Sequence, residues 1–428
     1  MQFIRRQSDW IKLRSLGSRT EKEYDLRKLK VAVLVPDGAS DLPLKELGGM
    51  TPLEAAQTPN MDEVARLGSI GLLRTIPPGM SPGSDVANLS LLGYDPRLFY
   101  SGRGPIEAAS NGIIVPRGWT AFRCNLVSTD GERMLDYSAG HISDDEANEI
   151  VGILSRKLGD SRTKFYHGKS YRQLLLLEGD YTGVVCTPPH DITGQSILDH
   201  LPKGENSARL IELIESSREV LSRLDLNSRR RKEGKLVVDL IWPWGQGSAM
   251  ELEPFPKRFG LSGYCISAVD LIRGLARLAG LEFIDVPGAT GYLDTNYKGK
   301  GDAALCALES GDFVFVHVEA PDEASHEGLT EEKVKAIERF DKYIVGPVLQ
   351  FGEKYVNLRI FICPDHPTFI STRTHDSSPV PYALFGPGIQ SSDHALFSEE
   401  EARNRGPHFD EGWMVMHYLT GREAWPQI

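Results

Sequence analysis

The chain has 428 residues, 40% hydrophobic and 25% charged, with a formal net charge of −11 at pH 7. That length allows two or three domains and a large core, and the composition is ordinary for a globular protein. The acidic balance argues against a nucleic-acid partner, which calls for a basic face, and no run of about 18 apolar residues offers a membrane span.

The first 30 residues go the other way, with nine Lys/Arg against four Asp/Glu. They lack the apolar stretch of a secretory signal. Arg5, Arg6, Arg14 and Arg19 suit a targeting peptide, while Asp9, Glu21 and Glu23 count against one. Segment 1–28 is therefore read as a basic cytosolic tail or an extra helix. Five cysteines, odd in number, widely spaced and without a CxxC pair, fit reduced thiols and a cytoplasmic location.

In chain order, the first element is an apolar strand, KVAVLVP, ending at Asp37. TPNMDEVARLG follows as a helix, with Thr58 as cap, Pro59 in the first turn and Gly68 as stop. A Pro/Gly-rich loop, IPPGMSPGSD, leads into a short helix, DVANLSLLG, that Gly93 ends. A middle block has strand-like runs (TAFRCNLVST, YRQLLLLEG, YTGVVCTP, KLVVDLIWP) between charge-rich helices, DDEANEIVGILSRKLG and ENSARLIELIESSREVLSRL. Its run SRRRKEGK is expected to be a solvated turn. The last block alternates helix and strand, which implies right-handed crossovers and a parallel sheet. The expected division is a discontinuous domain over 29–111 and 261–428, interrupted by an inserted domain over 112–260.

Three of the apolar strands end on metal-type ligands. KVAVLVPDG ends at Asp37, FVFVHVEAPD at Asp322 with His326 four residues on, and LRIFICPDH at Asp365 and His366. His375 follows shortly after. Ligands of a parallel sheet gather outside the carboxyl ends of its strands, so these residues, distant in sequence, can meet. Carboxylate and imidazole together suit divalent cations such as Mn²⁺ or Zn²⁺. His317 lies inside its strand run and is taken as structural.

Ser84, after Gly83, opens the short helix and is the candidate nucleophile. Backbone N–H groups and the dipole at a helix start favour a phosphate on its oxygen. No GxxxxGK[ST] loop or GxGxxG loop is present, which disfavours nucleotide-dependent kinases of those classes.

The motifs VPDGASD, LEAAQTPNMD, PGSDVANLSLLGYDP, SGRGPIEAAS, PGATGYLDTNYKGKGDAAL, HVEAPDEASHEG and CPDHPT…RTHDSSPVP resemble the alkaline-phosphatase superfamily. More narrowly, they resemble its archaeal-type 2,3-bisphosphoglycerate-independent phosphoglycerate mutases. The resemblance runs from Val31 to about Gly388. It implies an α/β fold with a mainly parallel sheet flanked by helices, into which a smaller α/β, transferase-type domain is inserted. It implies two divalent ions, Mn²⁺ first with Mg²⁺, Co²⁺ or Zn²⁺ as alternatives, and no 2,3-bisphosphoglycerate. Asp37, Ser84, Asp365 and His366 would hold one ion, and Asp322, His326 and His375 the other. Ser84 would carry the phosphoryl group and Lys300 would neutralise it. In the inserted domain Arg123, His141, His190 and Asp191, with Lys169 and Arg172 behind them, are candidates for holding a small phosphorylated substrate. The implied activity is interconversion of 3- and 2-phosphoglycerate; a phosphatase or mutase acting on another phosphorylated compound is the alternative. No nucleic-acid or membrane partner is expected, and the oligomeric state is left open.

Overall fold

The structure is a computed structural model and describes residues 28–391 and 396–425. Apart from Lys28, the expected basic tail lies outside those residues. Two compact units are present, one of residues up to Tyr100 together with those from Leu252 onward, the other Ser101–Glu251. The helix Arg103–Ser110 thus falls in the smaller unit, where the sequence reading put it in the larger. The reason is packing: Gly104 sits against the Ala121 carbonyl, too close for any Cβ.

The larger unit opens with β1 (Lys30–Pro36) and β2 (Ser69–Leu73). The smaller unit holds β3 (Trp119–Thr129), β4 (Met134–Asp136), β5 (Thr163–Lys169), β6 (Arg172–Glu178) and β7 (Leu240–Ser248). The chain then returns with β8 (Gly263–Ile266), β9 (Glu282–Ile284), β10 (Phe313–Val318) and β11 (Leu358–Ile362). It ends with β12 (Thr368–Phe369), β13 (Thr374–His375), β14 (Val380–Phe385) and β15 (His408–Phe409).

Eight of these strands form one sheet in the order β15-β2-β14-β11-β1-β10-β8-β9. Its centre is parallel: β1 lies between β10 and β11, with Val33 opposite Phe315 on one side and Phe361 on the other. Only β14 runs antiparallel, to β11 and β2. Helices on both faces bury these strands, which explains why β1, β10 and β11 are apolar at every position but Lys30, His317 and Arg359 rather than alternating. The core joins Leu34, Val316 and Ile360 of the sheet to Ala304, Ile337 and Val348 of the crossover helices.

The smaller unit's sheet is antiparallel throughout, β4-β3-β6-β5 with β7 added to β3. Helices Asp144–Leu158 and Ser207–Ser222 cover it, and its core is built on Leu126, Ile150, Leu175, Leu213 and Trp242. Two expectations are corrected here. YTGVVCTP forms no strand, only a bridge from Val185 to Lys203, while TKFYHGK supplies β5 instead. SRRRK is not a solvated turn but part of the helix Asp225–Lys232. Arg230 there is buried, donating to the Ala139 and Leu236 carbonyls and paired with Glu146 at 2.5 Å. A third correction concerns the helix Pro59–Leu67, because the Thr58 side chain does not cap it. The Asp341 carboxylate, from elsewhere in the chain, accepts from Asn60 N at 3.0 Å and Met61 N at 2.7 Å.

Candidate active site

Because β11, β1 and β10 are adjacent and parallel, their carboxyl ends emerge at one edge of the sheet. Asp37 follows β1, and its N–H donates to the Val318 carbonyl at 3.0 Å. Gly38 takes φ +63°, and a Cβ there would lie 2.7 Å from Asp322 Oδ1 and from Thr368 Oγ1. The glycine is required for these loops to meet.

After β10 the chain enters the helix Ala320–Glu327. Spacing of four puts Asp322 and His326 on one face, Oδ2 to Nε2 3.2 Å. After β11 come Asp365 and His366, then the β12–β13 hairpin, in which His375 pairs with Thr368. The hairpin carries His375 Nε2 to 2.9 Å from His326 Nε2 and 3.5 Å from Asp322 Oδ1. His326 Nδ1 faces the Arg373 carbonyl at 2.9 Å, which leaves Nε2 for the cluster. Thr368 Oγ1 donates to Asp322 Oδ1 at 2.5 Å and contacts His366 Nδ1 at 3.2 Å.

Ser84 is the first residue of the helix Ser84–Leu91, with Gly83 in the cap position. Its Oγ lies 3.1 Å from His366 Nε2. His366 Nε2 is also 3.5 Å from Asp37 Oδ1 and 3.6 Å from Asp365 Oδ2. One turn into the helix, Asn88 Nδ2 donates to the Ser84 carbonyl and to Asp365 Oδ2, both at 2.8 Å. Lys300, in the helix Tyr297–Ser310, is fully buried and donates to the His317 carbonyl at 3.1 Å. Burial pulls its ammonium pKa down to about 8.

The electrostatics of this edge call for cations. Burial first, then the Asp365 charge, push the Asp37 carboxyl well above the usual carboxylate range. Burial also raises Asp322, but its contacts with His326 and His375 outweigh that and hold it well below. The same Asp322 contact lifts the His326 imidazole to about 9. Asp322, His366 and His375 form one group of converging ligand atoms, and Asp37, His317 and Asp365 another, each within 4.8 Å. Asp37 Oδ1 and His317 Nε2 are buried with no hydrogen-bond partner. Unpartnered buried acceptors beside packed carboxylates are the surroundings a divalent ion fits. His317, taken from the sequence as structural, stands inside the second group. Its place as the fifth residue of an apolar run hid it, and only its position one residue before the end of a strand beside β1 could have pointed to it.

The smaller unit gathers most of its sequence candidates around aromatic rings. Arg123 Nε lies 2.7 Å from Glu107 Oε2, with its guanidinium 4.2 Å from the Trp244 ring centre. The His190 ring is 5.3 Å from Trp244 and 6.1 Å from Tyr137, and its Nε2 is 3.5 Å from Asp191. His141 and Arg172 flank Tyr171, each at 6.0 Å. Burial chiefly, with Arg103 and Arg172 nearby, lowers the Arg123 pKa. Arg103, Tyr137, Tyr171 and Trp244 were not singled out from the sequence; Arg103 stood in a quoted motif, SGRGPIEAAS, as a signal. Lys169 is exposed at the end of β5, opposite Arg172 in the hairpin, and no contact ties it to the rings.

A mainly parallel α/β sheet that delivers carboxylate and imidazole donors to a serine at a helix start defines a class, the metal-assisted group-transfer enzymes of α/β architecture. Residues 65–227 match the profile of the 2,3-bisphosphoglycerate-independent phosphoglycerate mutases. The chain is 48% identical over 380 residues to the mutase of that name from Methanosarcina acetivorans, covering 88% of this chain and 96% of that one. Identity to the second such mutase of Methanothermobacter thermautotrophicus is 50% over 377 residues, 88% of this chain and 93% of that one. A solved Pyrococcus horikoshii protein superposes with TM-score 0.78 at 30% identity, over 94% of this chain and 99% of that one. The cofactor-independent phosphoglycerate mutase of Thermoplasma acidophilum gives 0.66 at 26%, over 92% and 99%. The chain belongs to the 2,3-bisphosphoglycerate-independent phosphoglycerate mutase family.

Proposed function

We propose that this chain interconverts 3-phosphoglycerate and 2-phosphoglycerate without 2,3-bisphosphoglycerate, passing the phosphoryl group through Ser84. The observation that carries the reading is the position of Ser84 Oγ, 3.1 Å from His366 Nε2 at the start of a helix. Asp37, Ser84, Asp365 and His366 hold one divalent ion, and Asp322, His326 and His375 the other, with Mn²⁺ the first choice. When bound, the ions depress the Ser84 hydroxyl pKa and offset charge on the phosphoryl oxygens.

The protein's own groups do the rest. Ser84 Oγ, giving up its proton, attacks phosphorus as the phosphorus–oxygen bond to the 3-position breaks, so that Ser84 becomes a phosphoserine and the glycerate oxygen leaves as a hydroxyl after taking up a proton. The dipole at the start of the Ser84 helix favours negative charge on the transferred oxygens, and Lys300 adds positive charge. Asn88 holds both the Ser84 backbone and Asp365 in place. Arg123, with Lys169 and Arg172 behind it, holds the carboxylate and phosphate of the substrate. His141 or Asp191, beside His190, takes the proton of the second hydroxyl as it attacks the phosphoserine. Water is kept away between the two half-reactions, because it would hydrolyse the intermediate. The step belongs to glycolysis and gluconeogenesis and to the cytoplasm. Among the described residues no helix is long and apolar enough to cross a membrane.

The test is a discontinuous assay with 3-phosphoglycerate and Mn²⁺ in the absence of bisphosphoglycerate. Formation of 2-phosphoglycerate is expected to vanish on exhaustive chelation and return with Mn²⁺. It is also expected to fall toward acid, as the histidine ligands and Ser84 gain protons. Full activity in protein shown by elemental analysis to be metal-free refutes the reading.

A further inference from the structure

We infer that His317 is a direct ligand of a divalent cation, together with Asp37 and Asp365, an inference that rests on the metal-dependent reading above. His317 is the next-to-last residue of β10 and is fully buried. Its neighbour across the sheet is Val35 of β1, two residues before Asp37. The imidazole therefore projects toward the same sheet edge as the carboxylates. His317 Nε2 stands 3.1 Å from Asp37 Oδ2, yet no hydrogen bond joins them, and Nε2 has no other partner.

That combination is informative. An Nε2–H aimed at the carboxylate would make an aligned hydrogen bond at such a distance. Two donor atoms that both point at a third species need no alignment with each other. Ligands about 2.1 Å from one ion and at right angles to each other stand about 3.0 Å apart, close to the separation seen. The other ring nitrogen supports this tautomer. Nδ1 lies 3.2 Å from Ser267 Oγ, which gives Nδ1–H an acceptor and leaves the Nε2 lone pair facing the carboxylates. Ser267 is itself held, accepting from Val269 N at 3.1 Å.

The second observation is the carboxylate pair. Asp37 and Asp365 lie with His317 in one group of ligand atoms within 4.8 Å, all three fully buried. Asp365 is already fastened through Oδ1 to the Gly38 and His366 N–H groups and through Oδ2 to Asn88. Asp37 is fastened by no such N–H group, its carboxyl meets the Asp365 carboxyl instead, and its Oδ1 is unpartnered. Two buried carboxylates facing each other and an imidazole lone pair are a set of acceptors that a cation between them would balance. His317 reaches Asp37 from the Oδ2 side, whereas His366 approaches Oδ1 at 3.5 Å. The Asp37 carboxylate is thus flanked by an imidazole at each oxygen.

The test uses the full chain, stripped of metal and titrated with Mn²⁺ alone, in wild type, His317→Ala and His317→Gln. Glutamine keeps a polar group within reach of Asp37 but has no ring nitrogen. Calorimetry gives affinities, and pulsed EPR with ¹⁵N-labelled histidine counts the nitrogens bound to manganese. Thermal melting of the metal-free proteins checks that each variant folds. The expected result is one fewer coordinated nitrogen in both variants and an ion bound at least about 100-fold more weakly, beyond the loss usual for an outer-shell partner. An unchanged nitrogen count overturns the inference, whether or not affinity falls, because His317 then acts at most by orienting Asp37. If wild type binds no Mn²⁺ at all, it is the metal-dependent reading that fails.

Discussion

Ser84 and Lys333 are polar residues set on helices at the same edge of the sheet, and they do different work. The Ser84 side chain caps nothing, since Gly83 holds the cap position without a side-chain bond. Ser84→Ala is therefore expected to leave stability within about 1 kcal/mol and to abolish turnover. Retention of a tenth of wild-type activity in that variant removes Ser84 from the mechanism. Lys333, on the helix Thr330–Phe340, is fully buried. Its Nζ donates to Asp41 Oδ2 and to the Thr368 carbonyl, both at 2.8 Å. Thr368 in turn holds Asp322, so one ammonium ties the loops after β1 and β11 to the ligands after β10. Lys333→Met leaves Asp41 charged in the core with only the Leu42 and Ile370 N–H groups to hold it, a loss of about 3–5 kcal/mol. The double change Lys333→Met with Asp41→Asn is expected to regain much of that stability, while Mn²⁺ stays weakly bound. Denaturant unfolding and metal titration together decide it, and a single variant as stable as wild type would show that the pair is not a staple.

At the scale of elements, the helix Pro59–Leu67 depends on a group far away in sequence. Asp341 opens a π-helical turn, Asp341–Val345, between two α-helices and caps Pro59–Leu67 through Asn60 and Met61. Burial raises its carboxyl pKa from 3.8 to about 6, although the Met61 and Asn60 bonds pull the other way. A folded-state pKa above the unfolded one means the native chain holds the extra proton. The contribution is thus fully present below about 4 and is lost as pH rises through about 6, roughly 3 kcal/mol over two units. Asp341→Asn cannot titrate and should show no such fall. The wild-type-minus-variant stability, measured by denaturant unfolding across pH 4 to 7, should decline by a few kcal/mol. A difference that stays flat or rises contradicts the assignment.

For the whole molecule, the distinguishing property of a mutase is that phosphoryl returns to the glycerate that gave it up. A phosphatase needs no second unit to retain its dephosphorylated product, yet this chain devotes Ser101–Glu251 to one. In unlabelled 3-phosphoglycerate mixed with excess labelled glycerate, the 2-phosphoglycerate formed should stay unlabelled, and little inorganic phosphate should appear while the isomers equilibrate. Label in the product would mean glycerate escapes between half-reactions. Phosphate release outrunning isomerisation would favour hydrolysis.

The parallel centre of the large sheet was legible because buried strands must be apolar throughout, and crossover helices must alternate with them. Asp37, Asp322, Asp365 and His366 were legible for a related reason: charged residues directly after such runs have one edge of the sheet to occupy. Their meeting at that edge depends on strand order, and β11-β1-β10 adjacency is a long-range outcome that no local pattern encodes. The same limit hid the Asp341 cap, the buried Arg230 inside a basic run, and β5 in place of YTGVVCTP. Each is decided by a partner more than fifty residues away or by a neighbouring strand that accepts one segment and not another. The chemistry of the ligands was written in residue types. The convergence of these side chains, and the place of His317 beside Asp37 and Asp365, was decided by packing, because a histidine in an apolar run looks alike whether it faces a core or a carboxylate.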